Sequence, residues 1–201
     1  MRPHRPATLP SMHTTEALLV GGRSGVGKSS VGWEVAALLR AADVGHAYIE
    51  GDTLDTVHPA PEGDPHRARI TERNLAAMWG NYRDLGCRRL VYTNTASVLG
   101  SEEWMFVSAL RGPRIVRVLL TATDATVEER LTRREQGSEL EQQLRRSTFM
   151  ARHLEEHAAD GTLRVATDGR RVTDIAADVV AATGWMSRKS PETISRPGPA
   201  N

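Results

Sequence analysis

Residues 22–29 read Gly-Arg-Ser-Gly-Val-Gly-Lys-Ser, and the run just before them, Ala17–Val20, is wholly apolar. Few folds tolerate that order. A GxxxxGK[ST] segment works as a loop between a buried strand and the start of a helix, and only that setting confirms it. The following residues agree, because Val31, Val35, Leu38, Leu39 and Ala42 recur at helical spacing across Ser29–Ala42. Gly22, Gly25 and Gly27 free the backbone for positive φ and close approach to an anion. Arg23, Ser24 and Val26 complete the loop, and Ser29 and Ser30 open the helix, whose first amides carry partial positive charge. Lys28 is placed to reach the β- and γ-phosphates of a nucleoside triphosphate, and the Ser29 hydroxyl to ligate Mg²⁺. Mg²⁺ keeps several waters, so it needs few protein ligands.

Beyond that helix the chain alternates strand and helix. Ala47–Glu50, Arg89–Thr93, Arg114–Thr121 and Leu163–Thr167 are expected as strands. Pro65–Leu85, Ser101–Leu110, Val127–Arg134, Leu140–Glu156 and Val172–Ala182 are expected as helices, with a break at Gln136-Gly137-Ser138. Such alternation implies an α/β domain in three layers, a mostly parallel sheet covered on both faces by right-handed crossovers. Residues 14–186 are assigned to it, residues 1–13 to a flexible arm, and the Pro-rich residues 187–201 to a flexible tail.

Charge narrows the partners. Of the formal +1, two positive charges belong to residues 1–13 and a net two to residues 185–201, which leaves −3 between them. The folded part therefore lacks the basic footprint of a nucleic-acid binder. Cys87 is the sole cysteine, so an intramolecular disulfide and a two-cysteine metal site are excluded. No run approaches the roughly 18 apolar residues of a membrane span, and a cytoplasmic location is expected.

The remaining candidates lie where strands end. In an open α/β sheet, the carboxyl ends of the strands face the ligand crevice. Asp52, at the end of Tyr48-Ile49-Glu50-Gly51-Asp52, is expected to accept the proton of an attacking hydroxyl or to order water on Mg²⁺, with Glu50 and Asp55 ranked below it. Asn94 and Thr95 end the third strand where many ATPases carry a metal-binding Asp, which argues against a motor or transporter ATPase. No guanine-selecting Asn-Lys-x-Asp segment occurs. Arg69 and Arg73 lie on the helix after Asp52, where an acceptor would bind. Arg130 and Arg134 share a helix face at i and i+4, beside Arg133 and just before the Gln136-Gly137-Ser138 break. There they would serve a lid, spanning about residues 127–145, that closes over the nucleotide and neutralises developing charge. Glu128, Glu129 and Glu135 offer ordinary ion-pair partners for the same arginines. Trp33, Trp79 and Phe149 are read as core or interface packing, which leaves a homodimer open. His153 and His157 are i and i+4 but lack the third ligand that a zinc site needs.

Assembled, these segments resemble the small P-loop kinases related to gluconate kinase, adenylylsulfate kinase and chloramphenicol phosphotransferase. The likeness rests on GRSGVGKS, the IEGD strand end, the arginine helix ERLTRRE and the terminal TDGR turn, and spans residues 17–184. It implies a five-stranded sheet in the order 2-3-1-4-5, ATP in preference to GTP, lid roles for Arg130 and Arg134, and a place near the nucleobase for Asp168, Arg170 and Arg171. The expected activity is transfer of the γ-phosphoryl group to a hydroxyl of a sugar acid, a nucleoside or an antibiotic. A nucleotide-sensing module and a simple NTPase are the rival expectations. Ser138-Glu139-Leu140 replaces the Gly-His-Phe of gluconate kinase, so the acceptor does not carry over.

Overall fold

The computed structural model describes residues 14–134 and 138–186. The expected arm at 1–13, the tail at 187–201 and Gln136-Gly137 of the expected break lie outside them, whereas Ser138, the third residue of that break, starts a helix. Five strands form one parallel sheet: β1 (Glu16–Gly21), β2 (Ala47–Glu50), β3 (Arg89–Thr93), β4 (Arg114–Thr121) and β5 (Leu163–Ala166). Their order is β2-β3-β1-β4-β5, as the resemblance implied. Among the described residues six α-helices cover the sheet: α1 (Lys28–Ala41), α2 (Ala68–Asp84), α3 (Glu103–Leu110), α4 (Asp124–Arg134), α5 (Ser138–His157) and α6 (Val172–Thr183).

The period-2 alternation of a strand sends neighbouring side chains to opposite faces, and β1 shows it at the centre of the sheet. Leu18 and Val20 point into a core built with Val31, Val35 and Leu39 of α1 and Ile175 and Val179 of α6. Ala17 and Leu19 point the other way, toward Leu75 and Trp79 of α2 and Phe106 and Leu110 of α3. Leu119 of β4 meets Leu154 of α5 in a smaller cluster with Val98 and Leu99. β1 is therefore apolar on both faces, as a central parallel strand must be.

Four helix starts differ from the periodic pattern, with α4 beginning at Asp124 rather than Val127 and α5 at Ser138 rather than Leu140. The pattern puts the second helix at Pro65, yet α2 begins at Ala68. Asp64 is the cause: its Oδ2 accepts from the amides of Arg69 and Ile70, each at 3.0 Å, and so fixes the first turn beyond Pro65. Likewise Gly100–Glu102 forms a short 3₁₀ turn, and α3 starts at Glu103. Trp79 is buried as core, whereas Trp33 and Phe149 are exposed.

Candidate functional site

The glycine-rich loop joins β1 to α1, and α1 starts at Lys28 with Gly27 at its N-cap, where φ is 101°. Gly25 is required for two reasons. Its φ is +82°, and a Cβ there would meet Val127 Cγ1 at 2.9 Å and Leu131 Cγ at 3.0 Å. The loop thus rests directly on α4. Lys28 is buried, with its Nζ donating to the Arg23 carbonyl at 3.3 Å across the loop.

The loop is tied to its surroundings on every side. The Gly22 amide donates to the Thr95 carbonyl at 3.3 Å, linking it to the end of β3. Arg23 is buried and turns away from the loop, pairing with Asp124 and donating to the Ala122 carbonyl at 2.6 Å. Ser147 of α5 donates to the Ser24 carbonyl at 3.0 Å. Arg130 of α4 donates to the Val26 carbonyl at 3.1 Å, and to Thr167 Oγ1 at 3.0 Å and the Thr167 carbonyl at 3.1 Å. Arg130 therefore clamps the loop to the end of β5. Arg133 is exposed and pairs with Glu129 at 2.6 Å. The Arg134 side chain lies outside the described residues.

Asp168 completes this arrangement. It accepts from the amide of Thr123 at 2.9 Å and from its hydroxyl at 2.8 Å, joining the loop after β5 to the loop after β4. The Thr126 hydroxyl foremost, then the Thr123 amide and hydroxyl, hold its carboxyl down at about 2. Arg170 pairs with Asp178 at 2.6 Å and Arg171 with Asp174 at 2.8 Å, both onto α6.

A second group gathers at the exits of β2 and β3. Asp52 sits in a 3₁₀ turn, Gly51–Thr53, directly after β2. Asn94 Nδ2 donates to Asp52 Oδ1 at 2.7 Å, while Asn94 Oδ1 accepts from the Ala96 amide at 2.9 Å. Both ends of the Asn94 amide are thereby used, and its role in the free protein is to hold Asp52. Glu50 accepts a hydrogen bond from the Ser29 hydroxyl. That contact raises Glu50, which the sequence ranked as a fallback, to a place beside Ser29. The usable signal was its position: Tyr48 and Glu50 share one face of β2, and Tyr48 meets Trp33 of α1 at 4.7 Å. Since Ser29 and Trp33 are i and i+4 on α1, Glu50 has to face Ser29. Arg69 and Arg73 are exposed, on the side of α2 away from the buried Thr71, Leu75 and Trp79. Asn74, which faces inward, donates to the Leu54 carbonyl at 2.6 Å.

Beneath this group lies Tyr92. Its ring is fully buried against Phe106. Its hydroxyl is in contact with the space a Cβ on Gly51 would fill, so only glycine fits before Asp52. That hydroxyl has no hydrogen-bond partner among the described residues. Burial pushes its pKa up, and the carboxylates of Asp52, Asp55 and Glu102 push in the same direction. Among the described residues no three His, Cys, Asp or Glu side chains group as metal ligands, and His153 and His157 stack on each other at 4.4 Å. No described helix is long and apolar enough to cross a membrane.

Solved structures with this architecture are known. The chain is similar to a gluconokinase from Sinorhizobium meliloti 1021, at 21% identity and a TM-score of 0.55 over 86% of this chain and 93% of that one. It is also similar to the tunicamycin resistance protein of Deinococcus radiodurans, at 18% identity and a TM-score of 0.55 over 85% and 96%. A third is the Mycobacterium tuberculosis APS kinase CysC in complex with AMPPNP and APS, at 17% identity and a TM-score of 0.51 over 84% and 97%. No protein-family model and no curated protein matches the sequence. At these identities the likeness shows the fold, which is that of the small P-loop kinases.

Proposed function

We propose that this protein is an ATP- and Mg²⁺-dependent phosphotransferase that moves the γ-phosphoryl group to a hydroxyl of a small molecule. One observation carries the reading: Asp52 is held by Asn94 at the crevice end of the sheet, beside the Ser29–Glu50 pair that opens α1. A nucleotide sensor has no use for a second, separately oriented carboxylate there. The gluconokinase and APS kinase folds support the same class.

The oxygen donors of Ser29 and Glu50 suit a hard cation, because Mg²⁺ prefers carboxylate, hydroxyl and water oxygens. Ser29 would hold the ion with Glu50 and Asp52 bearing on its waters, and when bound it would offset charge on the β- and γ-phosphates. The chain's own groups do the rest. Backbone amides of Gly25, Gly27, Lys28, Ser29 and Ser30 cradle the phosphates, and the Lys28 side chain leaves the Arg23 carbonyl to meet them. Asp52 orients the acceptor hydroxyl and takes its proton as the oxygen bonds to the γ-phosphorus and the bond to the β-phosphate oxygen breaks, giving ADP. Arg134, at the end of α4, is the arginine proposed to reach the transferred group. Arg130 instead stabilises the loop against β5, a place from which it also borders the nucleotide. Asp168, Arg170 and Arg171 would flank the nucleobase, and Asn94 and Thr95 the acceptor. Arg69 and Arg73 would meet an acceptor only at the crevice rim.

The test is incubation with Mg-ATP and hydroxylated compounds (sugars, sugar acids, nucleosides, antibiotics), following ADP and product mass together. A product heavier by one phosphoryl group is expected. Phosphate release independent of every acceptor would overturn the reading in favour of an NTPase.

A further inference from the structure

The outer side of α5 carries a line of aromatic side chains. Phe149, His153 and His157 recur at i, i+4 and i+8, the spacing that keeps side chains on one helix face. Their rings form a column: Phe149 lies nearly parallel to His153 at 6.0 Å, and His153 stacks on His157 at 4.4 Å. Ser147 and Leu154, the buried side chains of the same helix, face the glycine-rich loop and the sheet instead. Phe149 is 67% exposed, and His157 is exposed as well. The phosphotransferase reading uses none of the three.

Two features suit the histidines to a metal ion. Imidazoles at i and i+4 on a helix come within reach of one ion, as in the H-E-x-x-H arrangement. His157 Nδ1 also lies 3.0 Å from the His153 carbonyl. A carbonyl only accepts, so Nδ1 carries the proton and Nε2 keeps its lone pair. Metal-ligating histidines are held in this way, the second ring nitrogen donating to a carbonyl or carboxylate. Within four residues of the pair along the chain, the charged side chains are Arg152, Glu155, Glu156 and Asp160, and Glu155 pairs with Arg164 at 2.5 Å. Carboxylates outnumber guanidinium groups there, so the surroundings do not repel a cation.

Two ligands leave such an ion half coordinated. Zinc takes four donors in a tetrahedron, and among the described residues no third His, Cys, Asp or Glu joins the pair. An isologous contact sets one surface patch against itself, so two copies of the chain bring four imidazoles together. The same contact buries both Phe149 rings. We infer that α5 carries half of a zinc site, completed by a second copy of this chain, so that the ion joins two chains through His153 and His157 of each. The metal follows from the donors, because imidazole suits zinc, copper and nickel, and a tetrahedron of two chelating pairs suits zinc. The inference stands apart from the phosphotransferase reading.

The experiment uses the untagged full chain without nucleotide, titrated with Zn²⁺ and then with EDTA. Mass in solution is read by light scattering after size exclusion, and zinc per chain by calorimetry. Zinc is expected to turn a monomer into a dimer at one ion per two chains, and EDTA to reverse it. Mg²⁺ is expected to do neither, being a hard ion that prefers oxygen. His153→Ala and His157→Ala should each weaken zinc-dependent dimerisation by more than the roughly 10–100-fold that losing a ligand's hydrogen-bond partner costs. His157→Cys, which puts back a zinc ligand, is expected to keep the dimer under reducing conditions. The metal-free Tm of each variant is expected to match wild type, which shows that it folds. A chain that stays monomeric in zinc, binds one ion per chain, or forms a dimer undisturbed by EDTA and by the histidine variants would overturn the inference.

Discussion

The two sides of the crevice are built to different standards. On the proposed nucleotide side, loops after β1, β4 and β5 close into one bonded ring. It runs from Arg23 through Asp124 and Ala122 to Thr123, across to Asp168 and Thr167, and back through Arg130 to Val26. On the proposed acceptor side, Asp52 accepts from one asparagine, the loop from Leu54 to Arg67 holds no regular helix or strand, and a buried hydroxyl has no partner among the described residues. The difference teaches where rigidity is needed. In the proposed reaction the phosphates are the same in every turnover, so their cradle gains from preorganisation. An acceptor must enter, be selected and leave, which favours a longer and less constrained loop.

Four substitutions would break or sharpen that contrast. The largest effect is expected from Asp52→Asn, which keeps the Asn94 contact but removes the base. Turnover should fall by roughly 10²–10⁴-fold, the usual worth of a general base, while ATP affinity measured by calorimetry stays unchanged. Near-normal turnover would remove Asp52 from the chemistry.

Next comes Arg130→Met on the rigid side. It abandons the carbonyls of Val26 and Thr167, so a loss of about 1.5–3 kcal/mol in denaturant unfolding is expected, the scale of a charged hydrogen bond. KM for ATP should rise and KM for the acceptor should not. If both rise together, the two sides are coupled and the contrast is false.

Tyr92→Phe probes the acceptor floor and should act in the other direction. Removing an unpaired buried hydroxyl is expected to stabilise by about 1 kcal/mol, or roughly 2–4 °C in Tm for a domain of this size. A loss of stability would mean that the hydroxyl has a partner in solution.

Asp168→Asn is expected to have the smallest effect, visible in acid. The Asp168 carboxyl is held at about 2 in the folded protein, below its ordinary value. A depressed carboxylate contributes stability above its unfolded pKa and loses it as pH falls toward the folded one. Wild-type stability should therefore carry a component that fades between about pH 4 and pH 2, as set by the ordinary Asp pKa and that lowered value. The variant's stability profile should be flatter over that window. An identical acid limb in both proteins would show that Thr123 and Thr126 do not hold the carboxylate.

Much of the framework was legible from local pattern. A loop such as Gly22–Ser29 carries its own conformational demands, and β1 and α1 follow from the residues that flank it. Helix starts at α2 and α3 were less legible, because Asp64 and the 3₁₀ turn at Gly100 act through backbone geometry that hydrophobic spacing does not record. Arg130 shows the same limit in function. Its spacing from Arg134 placed both on one helix face, yet the fold turns Arg130 onto the loop carbonyls. Glu50 was underrated because its partner, Ser29, is 21 residues away in sequence.

By itself the sequence determined the parallel α/β class, the glycine-rich loop into α1 with Lys28 and Ser29, and the carboxylate just after β2. These depend on periodicity and on backbone freedom, which neighbouring residues set. Only the tertiary structure decided that Asn94 bonds Asp52 and that Arg130 and Asp168 join the loops after β1, β4 and β5. Those outcomes depend on which strand ends lie side by side, and the order β2-β3-β1-β4-β5 joins residues that the chain keeps far apart.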